Sequence, residues 1–116
     1  MEPRIAEETA LDTYKQVRKK FYEASNEVFG PGFLSMAEYY FTKKRGYNPF
    51  AMLFSEPSVV YEDWVVMFKG EEPIRKLLEK VAGRRYNMLL EDIKRNDGFR
   101  VWSLLHSLSR TTNVAA

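Results

Sequence analysis

Cysteine is absent from these 116 residues, and histidine and glutamine occur once each. The first absence removes disulfide scaffolds, thiolate zinc sites and thiol catalysis together, and makes a cytoplasmic location the expectation. A single histidine, His106, has no His or Cys elsewhere to complete a metal set, so neither a metal nor a cofactor is expected. Long apolar runs are also missing: the longest, Phe50 to Phe54, has five residues, whereas a membrane helix needs roughly 20. No basic-then-apolar leader opens the chain, so a soluble protein without a membrane partner is expected. Nor does one sign of charge dominate. The 18 Lys and Arg against 16 Asp and Glu leave a net +2, too small a surplus to imply a nucleic-acid partner by itself. Scarce Gln and Cys beside abundant Glu, Lys, Arg and Tyr give the composition a mild thermophilic lean, against which stand five Asn and five Met.

What is present is an apolar fraction of 45% with 15% aromatic residues, enough for one domain with a core built on rings. Its densest stretch is Met36 to Gly70. Gly46 after Lys43-Lys44-Arg45 reads as a left-handed helix end with cations on the negative pole of the dipole. Asn48-Pro49 restarts a helix with a cap and a proline at its first position, Ser55-Glu56-Pro57 repeats that punctuation, and Lys69-Gly70 reads as a second helix end. The expected helices run over about 5–29, 33–45, 49–54, 57–69, a fifth opening at Glu71-Glu72-Pro73 that breaks at or continues past Gly83, and a last over about 99–109. The run Trp64 to Phe68 is β-branched and aromatic, but no second strand-like run exists to pair with it, so helix is preferred. The expectation is therefore an all-α, compact bundle of five or six helices with no sheet: one domain over 1–110 and a mobile tail over 111–116.

The first helix carries Ala10, Tyr14, Val17, Phe21, Ala24 and Val28 at alternating spacings of four and three, a helical stripe that is also a coiled-coil seam. Part of that stripe is expected to meet a second copy, making a homodimer through helix one. On the second helix Phe33, Met36, Ala37, Tyr40 and Phe41 are assigned to the inner side, with Glu38 and Thr42 opposite. Trp64 and Phe68 are expected in the core between the first and fifth helices.

Chemistry is harder to find. There is no phosphate loop, no dinucleotide fingerprint, no calcium loop and no nucleophile elbow. Gly30-Pro31-Gly32 before a helix lacks the Lys or Ser that an anion site would add. The acidic pairs Glu7-Glu8, Glu62-Asp63, Glu71-Glu72 and Glu91-Asp92 put neighbours about 100° apart on a helix, so no pair shares a substrate. No catalytic residue is assigned. One basic set stands out: Arg84, Arg85, Lys94, Arg95 and Arg100, interleaved with Tyr86, Phe99 and Trp102, has the composition of a phosphate-tracking face. The plainer reading, cations serving helix ends and solubility, weighs more, because Glu79, Glu91 and Asp92 dilute the set.

The order of signals from Tyr40 to Arg84, namely Lys43-Lys44-x-Gly46, a short helix, Glu56-Pro57, an aromatic helix closing at Phe68-x-Gly70 and the apolar helix Ile74 to Val81, resembles the archaeal Nitrosopumilus-type output domains, specifically their fifth family. The match covers about residues 10–85 and rests on structural glycines and apolar positions. It departs at Glu71-Glu72-Pro73, where a second glycine is expected, and after Asn87. The resemblance implies a small all-helical domain, alone or at the end of archaeal signalling chains, without a catalytic set. The combined expectation is a non-enzymatic interaction or signal-output module with a protein partner or itself. The alternative is a small nucleic-acid-binding protein that uses the basic C-terminal face.

Overall fold

Local chemistry accounts for the helix boundaries in a computed structural model that describes the backbone from Glu2 to Ala115 and the side chains from Leu11 to Leu108. The elements are α1 (Glu2–Val28), α2 (Phe33–Arg45), α3 (Pro49–Met52), α4 (Pro57–Met67), α5 (Glu72–Ala82), a 3-10 turn (Gly83–Arg85), α6 (Tyr86–Lys94) and α7 (Gly98–Ala115). The structure is an all-α bundle: six helices of nine residues or more, the single turn α3, and no strand among the described residues. Gly46 ends α2 with φ 79°, and its N–H donates to the Thr42 carbonyl. The Asn48 side chain accepts from the Phe50 N–H at 2.9 Å and caps α3, with Pro49 at the first helical position. Gly83 separates α5 from α6 by adopting φ 56°, ψ −127°, a conformation essentially restricted to glycine. The end of α4 differs from expectation. Lys69, not Gly70, takes the left-handed position at φ 60°, while Gly70 donates back to the Val65 carbonyl at 2.8 Å. Asn96 at φ 61° ends α6 in the same way, with Asp97 donating to Asp92. The last helix continues to Ala115, so the backbone of 111–115, expected as a tail, is helical.

The long α1 is the spine, packed on α5, α7, α2 and α3, while α4 lies on α6, α3 and α2. Val17, Phe21 and Ala24 of its stripe are enclosed by these neighbours, Phe21 completely. The middle of the helix-one stripe is thus closed inside the monomer, while Tyr14 and Val28 of the same stripe are only partly buried. Ala10 lies outside the described side chains. A continuous series of rings fills the space between α1, α3 and α4. Phe21 meets Phe50 at 5.6 Å and Trp64 at 6.1 Å, Trp64 meets Phe68 at 5.7 Å, and Phe68 meets Phe33 at 5.2 Å. Phe33 in turn stacks on Phe29 at 4.7 Å. Trp64 and Phe68 are thus buried as expected, with ring partners from α1, α3 and the α1–α2 corner.

Candidate functional site

The basic set is divided between the two ends of α6 and the start of α7. Arg84 and Arg85 occupy the 3-10 turn before α6, and Lys94 and Arg95 follow at its other end, nine residues or roughly 14 Å away along a helix. Lys94 is engaged with Glu71 at 2.8 Å and lies over the Tyr61 ring at 5.5 Å. Arg95 faces Glu91 at 3.9 Å, and Arg100 faces the buried Asp92 at 3.7 Å. Only Arg84 and Arg85 of the five lack an acidic partner among the described residues. Glu71 is the hub of this region, accepting also from Arg75 at 2.9 Å and from the Tyr61 hydroxyl. The Lys94 ammonium, seconded by the Tyr61 hydroxyl, holds its carboxyl down at about 2.

His106 pairs through Nδ1 with the buried Thr13 hydroxyl at 2.7 Å, and its ring stacks on Trp102 at 4.6 Å and 7°. It therefore joins α7 to α1. The acidic neighbours diverge as helix geometry requires: Asp63 is buried while Glu62 is exposed, and Asp92 is buried while Glu91 is exposed. No group of three or more His, Asp or Glu that could hold a metal occurs among the described residues.

Two buried carboxylates instead fix the position of α2. Glu38, expected on the solvent side, is 9% exposed. It accepts from Arg18 at 3.0 and 3.1 Å, from Asn48 at 2.6 Å and from the Tyr22 hydroxyl. Burial pushes its carboxyl up, but the hydrogen bonds from Arg18, Tyr22 and Asn48 outweigh it and leave the group below the usual carboxylate range. Asp63 of α4 accepts from Arg45 at 2.7 and 2.9 Å and from Lys44 at 3.2 Å, and the Arg45 hydrogen bonds hold it low against its burial. One carboxylate ties α2 to α1, the other ties its last turn to α4, and the ring cluster of Phe29, Phe33 and Phe68 seats its first turn.

With α2 held this way, part of its apolar surface faces out. Met36 is 54% exposed, Tyr39 60% and Tyr40 57%, which corrects the placement of Met36 and Tyr40 on the inner side. Met36 and Tyr40 stand at a groove of about 200 Å³ between α2 and the end of α4, lined by Phe33, Met36, Ala37, Tyr40, Met67 and Phe68. The Lys43 ammonium lies 5.8 Å from the Tyr39 ring centre, at the α2 C-terminal end of this surface. Lys69 follows the lining Phe68 in sequence. The sequence signal was the width of the apolar arc: Phe33, Leu34, Met36, Ala37, Tyr39, Tyr40 and Phe41 in 13 residues exceed what one buried stripe holds. Comparison with family models, with curated proteins and with solved structures returns no match.

Proposed function

We propose that this domain is a non-enzymatic helical interaction module that receives a protein partner in the α2–α4 groove. The observation that carries the reading is the pair Met36 and Tyr40, more than half exposed and one helical turn apart above an apolar floor. Large apolar side chains gathered over a concave surface mark contact sites, and methionine and tyrosine suit such sites because one adapts its shape and the other adds area at little entropic cost. The low-lying carboxylates Glu38, Asp63 and Glu71 support it from the other side: each is saturated by cations and hydroxyls that hold helices together, an arrangement that disfavours proton transfer. The resemblance to archaeal output domains suggests the setting, a cytoplasmic archaeal chain in which this domain passes a signal by contact.

A photo-crosslinking amino acid at position 40, introduced into the chain in its own cells, should yield a discrete protein adduct that Met36→Glu removes. The same group at Glu79, an exposed position on α5, should not. An adduct with nucleic acid at position 84 and none at 40 would favour the nucleic-acid alternative, for which the unpaired Arg84 and Arg85 are the supporting observation.

A further inference from the structure

We infer that one face of α1, separate from the α2–α4 groove, carries a binding site for the phosphate group of a small phosphate monoester, with Arg18 as its fixed cation. Tyr14, Lys15, Arg18, Lys19 and Tyr22 line an open cavity of about 460 Å³ and share no residue with the groove. That volume falls within the range of small-molecule sites. The five residues stand at i, i+1, i+4, i+5 and i+8, two adjoining rows of the same helix surface.

Arg18 is held from behind. Its Nε and Nη2 donate to the two oxygens of Glu38 at 3.1 and 3.0 Å, and each of those oxygens accepts once more, one from the Tyr22 hydroxyl and one from the Asn48 amide. Glu38 is therefore both buried and saturated. The guanidinium also lies 4.6 Å from the Tyr22 ring centre, so its plane is set before any ligand arrives, which spares the entropy of ordering a long side chain on binding. Its Nη1 has no hydrogen-bond partner among the described residues, and the side chain is 44% exposed.

The charge beside Arg18 is unspent. Lys15 and Lys19 are exposed and have no ion-pair partner among the described residues. The exposed acids nearest to them in sequence, Asp12 and Glu23, do not line the cavity, and the field of Glu23 falls on Lys20. Tyr14 adds a donor: it is partly buried, and its hydroxyl has no hydrogen-bond partner among the described residues. The charge of Glu38 acts on that phenol, which places it beside the Arg18–Glu38 pair.

Three lining cations against one carboxylate leave a surplus of two positive charges, a match for the charge of about −1.5 to −2 on a phosphate monoester at pH 7. A carboxylate ligand brings a single charge and two oxygens. A phosphoryl group brings three oxygens to a guanidinium edge, two ammoniums and a phenol. Phosphodiester backbones carry one charge per phosphate and are tracked by cations spread along the strand, whereas Lys15 and Lys19 are only about 6 Å apart along the helix axis. With the Tyr22 ring covered by the guanidinium, the Tyr14 ring is the aromatic surface left for the organic part of the ester.

The test is a titration of the full chain with phenyl phosphate at low salt, followed by calorimetry and by 15N-resolved NMR. Saturable binding is expected, with the largest shifts from Tyr14 to Tyr22 and at the Arg18 Nε–H. It should strengthen as the pH rises through about 6, where the phosphate takes its second charge. Lys15→Gln and Lys19→Gln, both at exposed positions, should each weaken it about two- to fivefold with the circular dichroism unchanged, and Tyr14→Phe about two- to threefold. Benzoate or benzenesulfonate bound as tightly as phenyl phosphate would overturn the assignment to a phosphate monoester. Binding indifferent to the combined Lys15/Lys19 variant, shifts at Arg18 no larger than at Lys43 or Arg84, or no saturation by about 10 mM would remove the site. Flotation with phosphatidic acid vesicles that the combined variant loses, without binding of phenyl phosphate in solution, would overturn the inference in favour of a membrane surface. Salt-steep binding of mixed-sequence RNA, again without phenyl phosphate, would overturn it in favour of a nucleic acid.

Discussion

The α2–α4 surface and the α6–α7 surface both carry lysines, arginines and exposed apolar residues, Met36 and Tyr40 on one, Met88 and Phe99 on the other. They differ in where their acids lie. Around α6, Glu71, Glu91 and Asp92 are interspersed among the cations and pair with three of them. Around α2 the acids Glu38 and Asp63 are both buried and engaged by Arg18, Lys44 and Arg45, whereas of the α6 acids only Asp92 is buried. Cations without an acidic partner among the described residues remain in both regions, Arg84 and Arg85 before α6 and Lys43 on α2. Charge that recognises a partner is charge left over after the fold has used its own.

The largest effect should come from removing the support of the groove. Trp64→Ala leaves a cavity behind Phe68 and should cost about 3–5 kcal/mol in a urea titration; a loss under about 1 kcal/mol would show that the ring series does not hold α4. Next is Gly98, where an added methyl would stand 2.5 Å from the Phe54 carbonyl oxygen. Gly98→Ala should therefore cost about 1–3 kcal/mol, and a neutral result would mean that the start of α7 moves freely against the α3–α4 corner.

Acid titration compares the two regions directly. Glu38, Asp63 and Glu71 all have folded pKa values below their ordinary ones, so each contributes stability that is present above the ordinary value and is lost as pH falls through the folded one. For Glu71 that window runs from the ordinary value of 4.5 down to about 2. Stability should thus decline below about pH 4.5, and Glu71→Gln should flatten the part of the decline that belongs to α6. An unchanged slope in that variant would mean that Lys94 and Tyr61 do not hold the carboxylate in solution. Mildest of all, Met36→Glu and Tyr40→Glu should each shift stability by no more than about 0.5 kcal/mol. A large loss there would place those side chains in the core and remove the groove as a docking surface.

Most helix ends were legible because their causes are local. Asn48 caps within two residues, Gly46 closes its own helix, and Gly83 breaks the chain where it stands. Lys69 escaped notice because glycine is the expected left-handed residue and Gly70 sat beside it. The orientation of α2 was not legible. Its apolar residues surround most of the helix, and the decision to turn Glu38 inward rests on Arg18, 20 residues earlier, and Asn48, ten later. For the same reason the basic set read from the sequence looked continuous: its neutralising partner, Glu71, precedes Lys94 by more than 20 positions and reaches it only through the packing of the α4–α5 corner against α6.

The ring series gives the molecule an optical property. Trp64 lies among Phe21, Phe50 and Phe68 with 2% exposure, and its indole N–H meets no acceptor among the described residues; its emission should lie to the blue of the partly buried Trp102, whose indole is stacked on His106. Phe68 touches Trp64 on one side and lines the groove on the other. Occupation of the groove is therefore one ring away from a native fluorophore, and the unlabelled protein, with Trp102 replaced by Phe, can report a bound partner by its own colour.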